Sequence, residues 1–307
     1  MKHRFDQLDV FGAAPYRGNP LAVVHDAAGL DDARMAEFAR WTNLSETTFL
    51  LPPTDAQADY RVRIFTPGGE LPFAGHPTLG SCHAWVAAGG RPRRDDVVVQ
   101  QCGVGLVAVR RDGAGVPPHD AAGLPAHDAA GLQARVAARW AFAAPPLRRS
   151  GPLDAALLQR IRAALDLDGA AIRAHQWVDN GPGWCAVLLD SAARVRALQP
   201  DWHRLGELKL GVVGPHATGG AAQFELRALF GRSSGSDDAG GFEDPVTGSL
   251  NASVAQWLIG AGLAPQRYVA TQGAALQRDG RVYIERDGDT VWVGGAVHAC
   301  VRGEVEL

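Results

Sequence analysis

The chain has 307 residues, of which 46% are hydrophobic and 21% charged, and its 30 basic and 33 acidic residues leave a net charge of −3. This is a globular composition with enough chain for about two domains, and the absence of a basic block argues against nucleic-acid binding. No apolar run reaches the roughly 18 residues of a membrane span, and the start, MKHRFDQLDVFG, lacks the apolar core of a signal peptide. We therefore expect a cytoplasmic protein that binds neither nucleic acid nor membrane.

The first half begins with a hairpin-like pattern. Strands are predicted over 5–11 and 21–25, on either side of a turn rich in Gly and Pro. Asp31 or Asp32 caps a predicted helix that runs to about residue 41. A polar turn, NLSE, then leads into an apolar strand and leaves Glu46 where that strand begins. By position alone, Glu46 is either a solvated loop residue or a general acid/base at the floor of a pocket.

The next segment joins a strand to a helix through a Gly- and Pro-rich loop. The strand covers 61–65, the loop contains AGHPTLGS, and an apolar helix is predicted from Leu79 to about residue 88. The loop therefore ends on a helix N-terminus, whose unpaired backbone N–H groups carry about half a positive charge. Such a turn can hold an anion, and its His76 and Ser81 can add chemistry.

A duplicated segment follows a second predicted hairpin, which covers 96–101 and 105–110. Residues 117–124, PPHDAAGL, are nearly copied by residues 125–132, PAHDAAGL. Two His-Asp pairs fit a metal site, but an Ala/Gly-rich tandem repeat buries little apolar surface, which favours a tolerant linker. We place a domain boundary at this linker, 117–133.

The second half also alternates strands and helices. Its predicted helix covers 153–165, and its predicted strands cover 134–142, 175–178, 184–189, 223–230, 282–285, 291–293 and 299–305. A loose loop, 231–241, precedes the segment FEDPVTGSLNASVAQWL, whose apolar part predicts another helix.

Two segments share the form X-Pro-x-x-Gly-Ser: HPTLGS at 76–81 and DPVTGS at 244–249. Each follows an Arg-containing strand and precedes an apolar helix, so we infer a duplication of about 150 residues and two similar domains. A cleft between such domains receives one helix N-terminus from each half. Two positive helix ends favour a small carboxylate-bearing ligand and stabilise charge that develops when a neighbouring C–H is deprotonated. The pattern indicates proton transfer at carbon.

This chemistry needs a side chain that exchanges a proton near neutral pH, as a carboxylate does when an enclosed apolar site raises its pKa. Glu46 and Asp244 are the acidic candidates, and His76 is the third titratable group. Structural alternatives remain open: Asp244 as a helix cap, His76 as a hydrogen-bonded turn residue and Ser249 as an ordinary first-turn helix residue.

Four motifs in order, GNPLAVV, NLSETTFLL, RIFTPGGELPFAGHPTLGS and EDPVTGSLNASVAQWL, resemble the PhzF-like isomerase family of phenazine biosynthesis, which is related in fold to diaminopimelate epimerase. The resemblance spans nearly the whole chain apart from 113–132 and 231–241. It implies an α+β fold of two pseudo-symmetric domains, each a curled mixed sheet around a central helix, with the site between them. It also implies a homodimer and a C-terminal strand that returns to the first domain. The expected domains are thus 1–116 plus about 290–307, and 134–289.

The resemblance also assigns roles to residues. Glu46 is the expected proton carrier, which moves a proton between substrate carbons without any cofactor or metal. His76 and Asp244 match the family's other polar site residues. The positions expected to bind substrate are Asn19, Ser45, Gly75, Gly248 and Ser249.

Diaminopimelate epimerase and its close relatives use a pair of cysteines, one from each half. Here the four cysteines are far apart without CxxC spacing, so neither a zinc site nor a disulfide framework is predicted. Cys82 lies inside a predicted helix with no counterpart in the second half, which disfavours two-thiol racemisation. The predicted function is a cofactor-independent isomerase of a small carboxylate-bearing substrate. A one-base epimerase or racemase and a non-catalytic binding protein for a small acid remain alternatives.

Overall fold

The structure is a computed structural model that describes residues 1–112, 138–231 and 240–307. The predicted linker 117–133, with its two His-Asp pairs, and most of the 231–241 loop lie outside the described residues. Strands and helices are mixed along the rest of the chain, so the α+β prediction is confirmed.

The bounds of the elements are as follows. The strands are β1 (Lys2–Val10), β2 (Asn19–Val24), β3 (Glu46–Leu51), β4 (Tyr60–Thr66), β5 (Gly69–Leu71), β6 (Val97–Cys102), β7 (Gly105–Arg111), β8 (Ala138–Ala143), β9 (Ile172–Trp177), β10 (Trp184–Leu189), β11 (Lys209–Pro215), β12 (Phe224–Phe230), β13 (Phe242–Asp244), β14 (Arg267–Gln272), β15 (Gly280–Asp287) and β16 (Thr290–Glu306). The helices are α1 (Asp32–Thr42), α2 (Gly75–Ala87), α3 (Ala155–Leu165), α4 (Ala192–Ala197), α5 (Trp202–Leu205) and α6 (Gly248–Gly260), and 3-10 turns cover Ala27–Gly29 and Ala274–Leu276.

The first half is a curled sheet closed around α2. The sheet runs in the order β1-β2-β3-β4-β6-β7-β8-β16, and β1 also pairs with β16, which closes this ring of strands. The helix α2 is buried along almost its whole length and contacts strands on every side of the ring. Its sequence, GHPTLGSCHAWVA, has no charged residue, as expected for a helix without a solvent face.

The second half packs a mixed sheet against α6, with no strand pairing among the described residues that closes it into a ring. Its strands follow β16 in the order β15-β14-β12-β11-β10-β9. The apolar residues of α6, such as Leu250 and Leu258, are fully buried in a core cluster that also includes Leu226 and Val282. Each half therefore has one central helix inside a mixed sheet.

The long strand β16 belongs to both halves. Its first residues pair with β15, its middle with β8, and residues 297–306 pair with β1. The strand β8, predicted as part of the C-terminal domain, also pairs with β7. The residue bounds of the two domains stay a prediction.

The helix α2 begins earlier than predicted. It starts at Gly75, four residues before Leu79, so HPT belongs to the first helical turn rather than to a loop. Pro77 is compatible with this position because first-turn residues need no backbone N–H for the helix. Pro245, by contrast, lies before α6, which starts at Gly248. The equivalent positions of the two halves are therefore Gly75 and Gly248, and the predicted register that matched Gly80 with Gly248 is wrong.

Candidate active site

The N-termini of α2 and α6 meet backbone to backbone. A Cβ atom placed on Gly75 would lie 2.7 Å from the Cα atom of Gly248, and one placed on Gly248 would lie 2.8 Å from the Cα atom of Gly75. Only glycine permits this approach. Neither helix has a side-chain hydrogen bond at its N-cap, so both positive ends remain available in the same place.

Glu46 and His76 face each other beside these helix ends. Glu46 is the first residue of β3, and His76 is the second residue of α2. The Glu46 Oε2 and His76 Nε2 atoms are 3.3 Å apart, and the side chains are only 14% and 3% exposed. Neither atom makes a hydrogen bond with any described residue. Glu46 is therefore not a solvated loop residue, and His76 is not a turn residue.

Asp244 joins the two halves through hydrogen bonds. Its Oδ1 atom accepts from Ser45 Oγ and from Asn19 Nδ2, both at 3.0 Å. Its Oδ2 atom accepts from Thr247 Oγ1 at 2.6 Å. The residue at the N-cap of α6 is Thr247, so the alternative in which Asp244 caps this helix is wrong.

Burial shifts the pKa values of both Glu46 and His76. It raises the pKa of Glu46 well above its ordinary value, and the nearby Asp244 carboxylate raises it further. Burial also lowers the pKa of His76 to about 3, although a hydrogen bond to the Pro20 backbone opposes the change. His76 is therefore a neutral imidazole at neutral pH, while Glu46 holds its proton more tightly than an ordinary glutamate.

Asp244 is also shifted, but less strongly. Burial raises its pKa to about 6, against the hydrogen bonds from Thr247, Ser45 and Asn19, which favour the charged form. The carboxyl groups of Asp244 and Glu46 thus differ in their environments. Asp244 accepts from three side-chain donors, whereas Glu46 accepts from none among the described residues, so Glu46 is the harder of the two to ionise.

Two further residues hold Ser249, the second residue of α6. Trp184 Nε1 donates to Ser249 Oγ at 3.1 Å, and Asn180 Nδ2 donates to the Ser249 carbonyl at 2.9 Å. The Oδ1 atom of Asn180 is buried without a described partner. Neither Asn180 nor Trp184 was predicted as a site residue. The signal that the sequence offers is weak: NGP at 180–182 has the same three residue types as GNP at 18–20 of the first half.

Gln272 supports the Asp244 turn from β14. Its Nε2 atom donates to the Asp244 carbonyl at 3.1 Å, and its Oε1 atom accepts from the Thr247 backbone N–H at 3.1 Å. No motif or spacing in VATQG distinguishes this glutamine from a surface residue, so the sequence could not identify it.

All eight predicted site residues lie around the two abutting helix ends, in contact with one another or adjacent along the chain. Ser81, a further candidate, does not reach them: it is fully buried and donates to Thr48 Oγ1 at 3.0 Å. Cys82 is also fully buried, and burial raises its pKa well above the ordinary range for a thiol, which makes it a poor acid/base.

Within the described residues, no cluster of three or more His, Cys, Asp or Glu side chains is arranged to hold a metal ion. None of the helices in this part of the chain is long and apolar enough to cross a membrane.

The chain matches the family model described as phenazine biosynthesis-like protein over residues 8–300. Trans-2,3-dihydro-3-hydroxyanthranilate isomerase from Pseudomonas aeruginosa is 33% identical over 290 residues, which cover 93% of this chain and 91% of the relative. Antisense-enhancing sequence 1 from Schizosaccharomyces pombe is 30% identical over 317 residues, covering 99% and 98%.

Solved structures show the same fold. A PhzF-family phenazine biosynthesis protein from Enterococcus faecalis has a TM-score of 0.74 at 23% identity and covers all of both chains. A Pseudomonas aeruginosa protein described as a predicted epimerase has a TM-score of 0.71 at 28% identity and covers 99% of both. The protein is thus an isomerase with a diaminopimelate epimerase-like fold, as predicted. It belongs to the phenazine biosynthesis-like protein family.

Proposed function

We propose that this isomerase works without a cofactor and moves a proton between two carbons of a small carboxylate-bearing substrate, with Glu46 as general acid and base. The main support for this proposal is the Glu46–His76 pair. Its facing atoms are buried, lie 3.3 Å apart and make no hydrogen bond to any described residue. Unpaired polar atoms in such a place need a partner, and a substrate supplies one.

The substrate carboxylate binds at the abutting N-termini of α2 and α6. Both helices begin at the contact between Gly75 and Gly248, and the N–H groups of a first helical turn have no intrahelical partner. An anion is stabilised there by hydrogen bonds and by the two helix dipoles. Ser249, held by Trp184, adds a hydroxyl at the same end.

The proton transfer uses one carboxyl group twice. The Glu46 carboxylate takes a proton from a substrate C–H, and the electron pair of that bond enters the adjoining double bond and carboxylate as an extended enolate. Glu46–OH then returns the proton to a carbon further along, so that the double bond shifts and atoms and charge balance. The helix ends stabilise the enolate charge while it exists.

The other two titratable groups have separate roles. Neutral His76 faces the atom of Glu46 that carries the proton and orients the carboxyl group. Asp244, fixed by three donors, holds Ser45 and Asn19 of the first half against the turn of the second half. Its charge adds to the effect of burial, which is the main cause of the raised pKa of Glu46. A carboxyl group with a raised pKa gives and takes a proton readily near neutral pH.

The test is solvent deuterium exchange. The protein is incubated in D₂O with a set of small unsaturated acids, and deuterium uptake is followed by mass spectrometry. The first acid is trans-2,3-dihydro-3-hydroxyanthranilate, the substrate of the Pseudomonas aeruginosa relative. We expect carbon-bound deuterium with the wild-type protein and a loss of about 10²–10⁴-fold in rate with Glu46→Gln, which cannot carry the proton.

The matched control is Glu37→Gln, the same change at an exposed glutamate on α1. It should exchange at the wild-type rate. Unchanged exchange in Glu46→Gln would refute the assignment of the proton carrier. Tight binding of an acid by calorimetry, with no exchange in the wild-type protein, would instead support the binding-protein alternative.

A one-base epimerase is the second candidate, because one similar structure is described as a predicted epimerase. Chiral analysis of the product separates the two: an epimerase inverts a centre and keeps the double bond in place. We also propose that the chain forms a homodimer, as the family resemblance implies. Light scattering of the purified protein should give twice the 32.4 kDa chain mass.

A further inference from the structure

A cavity lies beside Gln272, the residue that supports the Asp244 turn. Its volume is about 380 Å³. Its charged, imidazole and hydroxyl-bearing wall residues come from α4, the strand ends and the β14–β15 connection: Arg196, His216, Glu225, Thr271, Arg278, Asp279 and Arg281. Gln272 also lines it and, as described above, holds the Asp244 backbone. No part of the proton-transfer proposal uses this cavity.

Glu225 is a buried carboxylate in the wall of this cavity. The side chain is only 2% exposed, and Oε2 accepts a hydrogen bond from Thr271 Oγ1 at 2.8 Å. The second oxygen, Oε1, is buried and has no partner among the described residues. A buried acceptor without a donor loses the free energy of a hydrogen bond, so Glu225 Oε1 is a position where a ligand hydroxyl group gains binding energy.

His216 fixes the orientation of this carboxyl group. Its Nε2 atom is 2.8 Å from Thr271 Oγ1, which has two acceptors in reach, Glu225 Oε2 at 2.8 Å and the Phe224 carbonyl at 3.2 Å. With its proton on the nearer acceptor, Glu225, the Thr271 hydroxyl accepts from His216 Nε2–H, so the imidazole, the hydroxyl and the carboxylate form one directed chain. Burial, Arg196 and Arg281 lower the pKa of His216, so at neutral pH it adds no positive charge to the cavity.

The arginines give the cavity a cationic side. Arg278 donates to the Tyr16 carbonyl, and Arg281 pairs with Asp279. Arg196, an exposed residue of α4, makes no hydrogen bond or ion pair within the described part of the chain. Its guanidinium is suited to a carboxylate. With three arginines against Glu225 and Asp279, the wall carries an excess of one positive charge, which matches an anion.

We propose that this cavity is a second small-molecule site and that it binds a hydroxy acid. The ligand carboxylate pairs with Arg196, and the ligand hydroxyl donates to Glu225 Oε1. The volume is sufficient for a ligand of this size. Since Gln272 is shared between the cavity wall and the Asp244 turn, the bound ligand lies one side chain away from the candidate active site.

Malate and succinate test this proposal as a pair, because they share two carboxylates and differ by one hydroxyl. Calorimetry on the full chain should show saturable binding of malate about tenfold tighter than that of succinate. Arg196→Ala should weaken malate binding about tenfold or more. Glu225→Met, which keeps the length but removes the acceptor, should abolish the preference for malate.

Two controls locate the site. Arg194→Ala changes a neighbouring α4 arginine that pairs with Asp190 and does not line the cavity, and it should leave malate affinity unchanged. Glu46→Gln should also leave it unchanged, because Glu46 does not line the cavity. The proposal is overturned if neither acid binds saturably, if malate and succinate bind equally, or if Arg196→Ala behaves like Arg194→Ala. If Glu225→Met does not fold, the exposed Arg196 variant still decides the outcome.

Discussion

Replacing Gly248 with alanine tests whether the contact between the two helix ends is required. The new Cβ atom would lie 2.8 Å from Gly75 Cα, 3.0 Å from Gly75 C and 3.1 Å from His76 N. The first distance is about 0.7 Å short of the ~3.5 Å at which two carbons pack without repulsion. All three contacts are backbone atoms, so no side chain can rotate away, and the helices themselves must separate.

The expected cost follows from this geometry. Overpacking a rigid core typically lowers the free energy of unfolding by about 1–3 kcal/mol. We expect urea unfolding to show a decrease in this range for Gly248→Ala. A displacement approaching 1 Å of a binding element can lower a rate by about 10²-fold, so deuterium exchange should fall further than stability alone explains.

Gly260→Ala is the matched control, since it makes the same change in the same helix. A Cβ atom at Gly260 meets nothing within 4 Å. Alanine at this position should leave the free energy of unfolding unchanged or raise it by up to ~1 kcal/mol through helix propensity. If Gly248→Ala matches Gly260→Ala in both unfolding and exchange, the helix ends are not in obligatory contact and the reasoning fails.

Two further predictions concern buried charged or titratable groups. Because the folded pKa of His76 is lowered to about 3 from 6.5, its neutral ring contributes stability fully above pH 6.5, and the contribution is lost as the pH falls toward 3. Its imidazole NMR signals should therefore not titrate near pH 6.5, and a normal titration there would contradict the buried site. Arg227 and Glu243 form a buried two-point ion pair, with side chains 5% and 3% exposed. Arg227→Met should cost about 3–5 kcal/mol in urea unfolding by leaving Glu243 unpaired, and adding Glu243→Met should recover much of it; a double variant as unstable as the sum of the singles would refute this account.

The sequence predicted the features that depend on local pattern. Asp31 caps α1 as expected, accepting from the Arg34 backbone N–H. The helices α2 and α6 were predicted because their own sequences are apolar on every face. Glu46 was recognisable because it interrupts an apolar strand at its first residue and matches a family motif.

Other features depended on contacts that no local pattern encodes. The register of the two motifs was wrong because proline is equally compatible with a loop and with the first turn of a helix, so Pro77 and Pro245 looked equivalent. The strand β16 was predicted as two short runs because Gly294 and Gly295 resemble a break. In the structure, a Cβ atom at Gly295 would lie 2.2 Å from the Phe11 ring, so the glycine accommodates Phe11 rather than ending the strand.

The pairing of β1 with β16 has a consequence for how the chain reaches this fold. Lys2 lies opposite Glu306, so β1 is made long before β16, which is one of its two neighbours in the sheet. Until then its free edge is exposed, and the ring of strands around α2 stays open although α2 itself is complete. Contacts so distant along the chain slow folding because loop-closure entropy is lost before they form. The N-terminal half therefore cannot close around α2 during synthesis until β16 has been made.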